Sequence, residues 1–220
     1  MAENEIVWTI VVAAGSGLRF GRAKQFEVIG GRRIVDWAVA EAHNHSIGVI
    51  VVLPVGEANG PGEVEGGSTR SESVRRGLAA GPAEATIVCV HDAARPFASP
   101  AVFQRVISAV VDGADAAVPG VAVVDTIKEV NESNVVVSTP RRETLRAVQT
   151  PQGFSRRVLQ AAHAAFDDDV TTDDAGLVEL HGVAVRVIPG HEEAFKVTRP
   201  IDLLLAEALL AKRRAARTNG

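Results

Sequence analysis

The sequence predicts an α/β protein: a mostly parallel sheet with helices on both faces and an inserted β-hairpin arm. Three observations carry this. Short β-branched runs bounded by Gly, Pro or Asp read as buried strands. Segments of helical spacing lie between them, and such alternation implies a mostly parallel sheet covered on both faces. One later segment breaks the alternation with two β-rich stretches around a polar turn.

The strand runs are Val7 to Ala13, Val49 to Leu53, Thr86 to Val90, Ala114 to Val118 and Val183 to Ile188. Helical spacing joins Ile34, Trp37, Ala38 and Glu41. A second helix opens at Ser99-Pro100, a capping residue followed by proline at the first helical position. A third runs from Ser155 through Val158, Leu159 and Ala162, and the last begins near Pro200. Gly56 to Gly67, rich in Gly, Glu and Pro, reads as a partly ordered loop. The arm covers about 121–142: Val121 to Lys128, the turn Asn131-Glu132-Ser133-Asn134, then Val135-Val136-Val137. A hairpin that leaves the main sheet is marginal alone, so a second subunit is expected against it. No repeat or long linker divides the chain, and 1–220 reads as one domain.

Composition narrows the class. The 220 residues, 46% hydrophobic and 23% charged, suffice to bury a core without disulfides or metal. Cys89, the single cysteine, sits in the apolar run Thr86 to Val90 and is expected to be buried and inert. The acidic start Met1-Ala2-Glu3-Asn4-Glu5 lacks the secretory pattern, and no apolar stretch is long enough to cross a bilayer. A cytoplasmic protein without membrane attachment is expected. The net charge of -4 argues against a nucleic-acid partner. Lys212-Arg213-Arg214 reads as the solvated last turn of a helix. Any anion must therefore meet a local basic cluster.

Ligands of such sheets bind beyond the carboxyl ends of the strands, so the residues just after each strand matter most. Ala13-Ala14-Gly15-Ser16-Gly17-Leu18-Arg19-Phe20 follows the first strand. Small residues there let backbone N–H groups approach an anion, although a tight strand-to-helix turn needs the same residues. Phe20 stands where the dinucleotide fingerprint has glycine, and Lys24 lies between Ala23 and Gln25 rather than in a P-loop. Two cations, Arg19 and Lys24, point instead to a nucleoside triphosphate. Gly66-Gly67-Ser68-Thr69-Arg70-Ser71-Glu72-Ser73 is a Gly pair, hydroxyls and a helix start, which capping alone could also explain. Val90-His91-Asp92-Ala93-Ala94-Arg95-Pro96-Phe97 ends a strand, so Asp92 and Arg95 emerge at the ligand edge, as a mutual salt bridge or as substrate contacts. His91 reads as structural rather than as a base. Asp167-Asp168-Asp169 reads as a solvated run rather than a metal site.

Ala13-Ala14-Gly15-x-Gly17-x-Arg19 with Lys24-Gln25-Phe26 resembles the signature of sugar nucleotidyltransferases, and the Lys-Gln-Phe ending resembles the 2-C-methyl-D-erythritol 4-phosphate cytidylyltransferase family. That family carries a proline before the lysine, where Ala23 stands here. The resemblance extends in order through the Gly66 and His91 motifs, Asp125-Thr126-Ile127-Lys128, Thr139-Pro140-Arg141-Arg142, Gln149-Thr150-Pro151-Gln152-Gly153-Phe154, Thr171-Thr172-Asp173-Asp174 and Lys196-Val197-Thr198-Arg199-Pro200-Ile201-Asp202-Leu203, about Ile10 to Ala211. It implies a Rossmann-like nucleotidyltransferase fold. It implies that Ala13, Ala14, Gly15, Gly17, Gly67, Ser68 and Ser73 bind CTP, with Ser73 on the base. It implies catalytic roles for Arg19, Lys24, Arg142 and Lys196. Asp92, Ala93, Arg95, Thr126, Thr150 and Thr172 would hold the acceptor, with Thr126 and Arg142 acting on a neighbouring subunit's site in a homodimer. Arg141 competes with Arg142 for that role.

The implied chemistry is transfer of CMP from CTP to a polyol phosphate, methylerythritol phosphate by the resemblance. A phosphate monoester is already anionic near neutral pH and needs no general base. Magnesium is expected to bridge the nucleotide phosphates, and no protein metal ligand is assigned. A single activity is expected of this chain. The alternatives are a ribitol 5-phosphate cytidylyltransferase, a molybdenum-cofactor guanylyltransferase, an NAD-binding oxidoreductase and a catalytically silent nucleotide-binding regulatory domain.

Overall fold

The computed structural model describes residues 5–15, 17, 20–166 and 170–218, with side chains as far as 215. Chain order is β1 (Val7–Val12), β2 (Val28–Ile29), β3 (Arg32–Arg33), α1 (Ile34–His43), β4 (Gly48–Leu53), β5 (Glu63–Glu65), α2 (Arg70–Ala80), β6 (Ile87–Asp92) and α3 (Pro100–Val111). Then come β7 (Ala116–Ala122), β8 (Glu129–Val130), β9 (Val136–Ser138), β10 (Arg146–Val148), β11 (Gln152–Ser155), α4 (Arg156–Ala165), α5 (Asp174–Leu180), β12 (Val185–Pro189) and α6 (Pro200–Thr218).

The eight-stranded main sheet runs β10-β7-β11-β6-β1-β4-β5, with β12 also paired to β7. β4, β1 and β6 are mutually parallel, and β12 runs parallel to β7. β10 and β11 are antiparallel to their neighbours. Val148 faces Gly120, yet Gly153, five residues on, faces Ala117, only three back. The excess chain at Thr150-Pro151 therefore bulges between these strands, while Gln149 N–H still donates to the Pro119 carbonyl and Gln152 pairs with Val90. The bulge contains the cis Thr150–Pro151 bond, and Gln149, Thr150 and Gln152 are buried there.

Successive residues of a strand point to opposite faces, and β1 sends Ile10 and Val11 into different cores. Ile10 packs with Val74 and Leu78 of α2, Leu159 of α4 and Val178 of α5. Val11 packs with Val35 and Ala38 of α1 and Phe103 of α3. A third cluster seats Leu209 and Leu210 of α6 against Ile29, Ile34 and Phe97. Phe97, Phe103 and Phe154 are among the largest fully buried side chains, each stabilising by about 2–3 kcal/mol through burial.

Three expectations are adjusted. Gly56 to Gly67 contains β5, whose Val64 pairs in parallel with Val52. Lys212-Arg213-Arg214 lies inside α6, which runs on to Thr218; Arg213 pairs with Glu193 at 2.6 Å and Arg214 donates to the Gly30 carbonyl. The arm is shorter in strand than expected: β7 stays in the main sheet to Ala122, and only β8 and β9 pair beyond it. Cys89 is buried as expected, with its thiol pushed up to about 12 by burial.

Candidate active site

A cavity of about 530 Å³ opens at the carboxyl ends of β1 and β6. These ends are level, Val12 opposite Asp92, which is why the loops after both strands line one cleft. Ala13, Ala14, Gly15 and Gly17 form one wall. Gly17 has a φ of 69°, and a Cβ there would run into the Arg22 carbonyl, so only glycine makes this turn. Buried Gln25 donates to the Gly15 carbonyl at 3.1 Å and ties the loop to the turn that begins at Lys24. Lys24 lines the cavity.

The opposite wall is Gly67, Ser68, Thr69, Arg70 and Ser73. Gly66 donates to the Leu53 carbonyl at 2.7 Å, so this loop leaves β5 pinned to the end of β4. A Cβ on Gly66 would collide with the Ala14 side chain. Thr69 caps α2 by accepting from Glu72 N–H, and the Glu72 carboxylate reaches back to Ser68 N–H at 2.7 Å, a reciprocal capping arrangement. Ser73 is buried; its hydroxyl accepts from Gly67 N–H at 3.1 Å and donates to the Thr69 carbonyl at 2.8 Å. Its proton is thus committed to the loop, and one acceptor lone pair is left for a base.

Asp92, Ala93 and Lys196 close the floor. Val197 N–H donates to the Ala94 carbonyl at 2.8 Å and draws Lys196 alongside. Lys196 Nζ donates to Asp92 Oδ2 at 2.6 Å, and Arg70 Nη2 stands 3.6 Å from Asp92 Oδ1. Burial pushes the Asp92 carboxyl up, but Arg70, Lys196 and Arg95 outweigh it and hold the group well below the usual carboxylate range. Arg95 points the other way, donating to the carbonyls of Ala194 at 2.8 Å and Val148 at 3.2 Å. Burial lowers its pKa, and its buried Nε has no partner, a configuration that favours an incoming anion. The expected choice for Asp92 and Arg95 thus resolves without a direct bridge: the carboxylate takes Lys196 and Arg70 instead.

His91 and Thr150 lie beneath the floor. Thr150 Oγ1 accepts from Asp92 N–H at 3.0 Å and meets His91 Nδ1 at 3.0 Å. His91 Nε2 is buried and without a partner. Burial lowers the His91 pKa to about 4. The imidazole is thus neutral and enclosed, and among the described residues no nucleophile–base pair lines the cavity.

The cleft combines backbone donors, the cations Lys24, Arg70 and Lys196, and one carboxylate. That set suits a polyanion held by charge rather than a bond broken by a nucleophile. The family model described as 2-C-methyl-D-erythritol 4-phosphate cytidylyltransferase, IspD, matches residues 7–212. The chain belongs to this family. A cytidylyltransferase of that name from Streptomyces coelicolor is 48% identical over 93% of this chain and 85% of its own length. One from Frankia casuarinae is 47% identical over 94% and 82%. The crystal structure of the Thermus thermophilus cytidylyltransferase superposes with a TM-score of 0.78 at 39% identity, covering 93% of this chain and 98% of that one. That of an Anaerococcus prevotii 4-diphosphocytidyl-2C-methyl-D-erythritol synthase gives 0.82 at 27%, covering 95% and 100%.

Of the residues that family resemblance singles out, Ala13, Ala14, Gly15, Gly17, Lys24, Gly67, Ser68, Ser73, Asp92, Ala93 and Lys196 come together in this cavity. Arg19 lies outside the described residues, as do Asp167, Asp168 and Asp169. Thr150 is buried below the floor, and Thr172 is exposed just before α5. Thr126 and Arg142 are on the exposed arm, where Arg142 Nη1 donates to the Val124 carbonyl at 3.0 Å. Arg141 is exposed, and its carbonyl accepts from the Thr144 hydroxyl. Arg70 and Gln25 were not singled out from sequence. Arg70 did carry a signal: a cation in the first turn of a helix faces the positive end of its dipole, and a local rule broken without local compensation marks function.

Proposed function

We propose that this chain transfers CMP from CTP to 2-C-methyl-D-erythritol 4-phosphate, giving 4-CDP-2-C-methyl-D-erythritol and pyrophosphate for isoprenoid precursors. The supporting observation is the convergence of Lys24, Lys196 and the Ala13 to Gly17 backbone on one cleft. A phosphate oxygen of the acceptor attacks the α-phosphorus of CTP; the new O–P bond forms as the bond to the β-phosphate oxygen breaks, and pyrophosphate leaves with that electron pair. The attacking group is already anionic, which agrees with a site lacking a titrating base. The difficulty is mutual repulsion of two anions. Lys24, Lys196 and Arg19 offset charge on the triphosphate, while Arg95 takes the acceptor phosphate and Asp92 an acceptor hydroxyl. Gly67, Ser68 and Ser73 meet the base; Ser73 offers its remaining lone pair to the cytosine amino group, which uracil lacks.

Among the described residues no group of three or more His, Cys, Asp or Glu could hold a metal ion, and Asp92 is already taken by cations. Magnesium would enter as part of the substrate, carried on the phosphates of CTP. In this reading Thr126 and Arg142 act in trans in a homodimer built on the arm, whose Val124, Val135 and Val137 are 79%, 59% and 57% exposed. It also places the enzyme in the cytoplasm, supported by one unbridged cysteine.

The test is pyrophosphate release from magnesium CTP with methylerythritol phosphate or ribitol 5-phosphate in parallel. Methylerythritol phosphate is expected to be used with far higher kcat/KM. Lys24→Ala and Lys196→Ala are each expected to lose roughly 100-fold or more in kcat, as when one charge-stabilising donor is removed. A preference for ribitol phosphate, or unaltered turnover in both variants, refutes the proposal.

A further inference from the structure

Arg70 is the cation of the cleft for which the transfer chemistry has no task. It is the first residue of α2, at the unfavourable end of the dipole. Two carboxylates keep it there. Nη1 donates to Asp174 Oδ2 at 2.6 Å, and Nη2 lies 3.6 Å from Asp92 Oδ1. Asp174 is fully buried on α5; its Oδ1 meets His163 Nε2 on α4 at 3.0 Å, and His163 Nδ1 meets Ser71 Oγ at 3.2 Å, which returns the chain to α2. Asp173 caps α5 through Gly176 N–H and accepts from Gln152 Nε2 of β11 at 2.7 Å, fixing the helix end to the sheet. Arg70 is thus held by Asp174 of α5, itself braced by α4 and β11, while its second nitrogen faces the reacting floor.

Lys196 has the opposite character. Its ammonium is a point charge on a flexible stem, 35% exposed, and its present partner is Asp92. A nucleotide phosphate that draws on this ammonium competes with Asp92 for its charge. Asp92 is only 12% exposed, and a desolvated carboxylate deprived of its close cation is costly. A fixed second cation removes that difficulty.

We infer that Arg70 is a positioning residue: anchored by Asp174 and His163, it holds the Asp92 carboxylate ionised and in place when Lys196 leaves it for a nucleotide phosphate. This rests on the proposed roles of Asp92 and Lys196. Asp92 is faced by Arg70 from α2, by Lys196 from the segment after β12, and by Arg95 and His91 from its own strand end. Arg70 in turn feels Asp174 and Asp173 from α5.

Two variants separate positioning from mere cross-linking. Arg70→Lys keeps a charge for Asp174 but has no fork to span both carboxylates. Arg70→Met with Asp174→Asn removes Arg70 without leaving a buried unpaired charge. Both are expected to lose roughly 10- to 100-fold in kcat/KM for the acceptor, the scale of a misplaced contact. KM for CTP should move by only about twofold, well under the tenfold that separates one RT ln 10 step. Full activity in the double variant, or an equal loss for CTP, overturns the inference. A second readout does not depend on turnover: the ¹³C carboxyl titration of Asp92 in a Lys196→Met background, with and without Arg70. It should climb by about one unit or more when Arg70 is lost, and indifference to Arg70 refutes the role. An inactive wild type would refute the proposed acceptor instead, leaving this titration to decide about Arg70.

Discussion

His91 lies one residue before the carboxylate of the site, and its enclosure gives the protein a specific acid sensitivity. Its ordinary pKa near 6.5 falls to about 4 in the fold. As pH drops through 6.5 the unfolded chain takes up a proton that the folded chain refuses. Stability is therefore complete above about 6.5 and lost progressively toward 4, by about 2–3 kcal/mol between pH 7 and 4.5. Asp92 and Asp174, both held below the usual range, add losses only below about pH 4, so the windows separate. Urea unfolding at pH 7 and 4.5 should show a shallower decline in His91→Gln, which can still hydrogen-bond to Thr150. Parallel declines in variant and wild type would mean the imidazole is not enclosed as described. At this scale the sequence was legible where chemistry is local. Gly15, Gly17, Lys24 and Gly67 declare themselves by residue type and spacing. Arg70 with Asp174 and Lys196 with Asp92 each join residues 104 positions apart, and nothing in a window of sequence brings such partners together.

Among elements, the apolar runs of β1, β4, β6 and β7 were readable because burial writes a near-continuous signature: Ile10 and Val11 serve different cores, while β12, largely exposed, was readable from its β-branched residues alone. β10 and β11 were not, because Arg146-Ala147-Val148 and Gln152-Gly153-Phe154-Ser155 are short, mixed and interrupted. Their place comes from pairing with β7 and β6, which is tertiary. The arm was readable, yet its extent was not: Val121-Ala122 continues the apolar pattern of the hairpin while its ladder belongs to β10. That register yields an expectation. Arg146 faces Ala122 directly, so replacing residues 123–145 by a short turn closes an ordinary antiparallel pair without disturbing the main sheet. The described polar contacts of Lys128, Ser138 and Arg142 stay inside the removed segment. The shortened chain should keep a cooperative melt, run as a monomer in light scattering, bind CTP and fail to transfer CMP to the acceptor. A shortened chain that still dimerises or turns over normally would show that Thr126 and Arg142 act elsewhere.

Over the whole molecule, the distribution of charge matters more than its sum. The chain carries a net charge of -4, yet Lys24, Arg70 and Lys196 gather in one cleft at the carboxyl ends of β1 and β6, which end level and side by side. A concave cationic cleft on an acidic body concentrates a polyanion without attracting nucleic acid broadly. Occupation by a polyanion should therefore stabilise the fold. Mass action supplies about 2.7 kcal/mol at a hundred times Kd, roughly 5–10 °C in Tm for a domain of this size. Magnesium CTP is expected to raise Tm by about that much, with the shift cut sharply in Lys24→Ala with Lys196→Met. NADH should leave Tm unchanged, since Phe20 fills the place of a dinucleotide glycine and lies against Ile29 and Ile34 in the core beneath the loop. Because attraction between the cleft and a polyanion is screened by salt, the Tm gain from magnesium CTP should shrink between low and moderate ionic strength. A Tm gap between the two states that is indifferent to salt would mean the three cations do not share one field, and the electrostatic account of this cleft would fail with it.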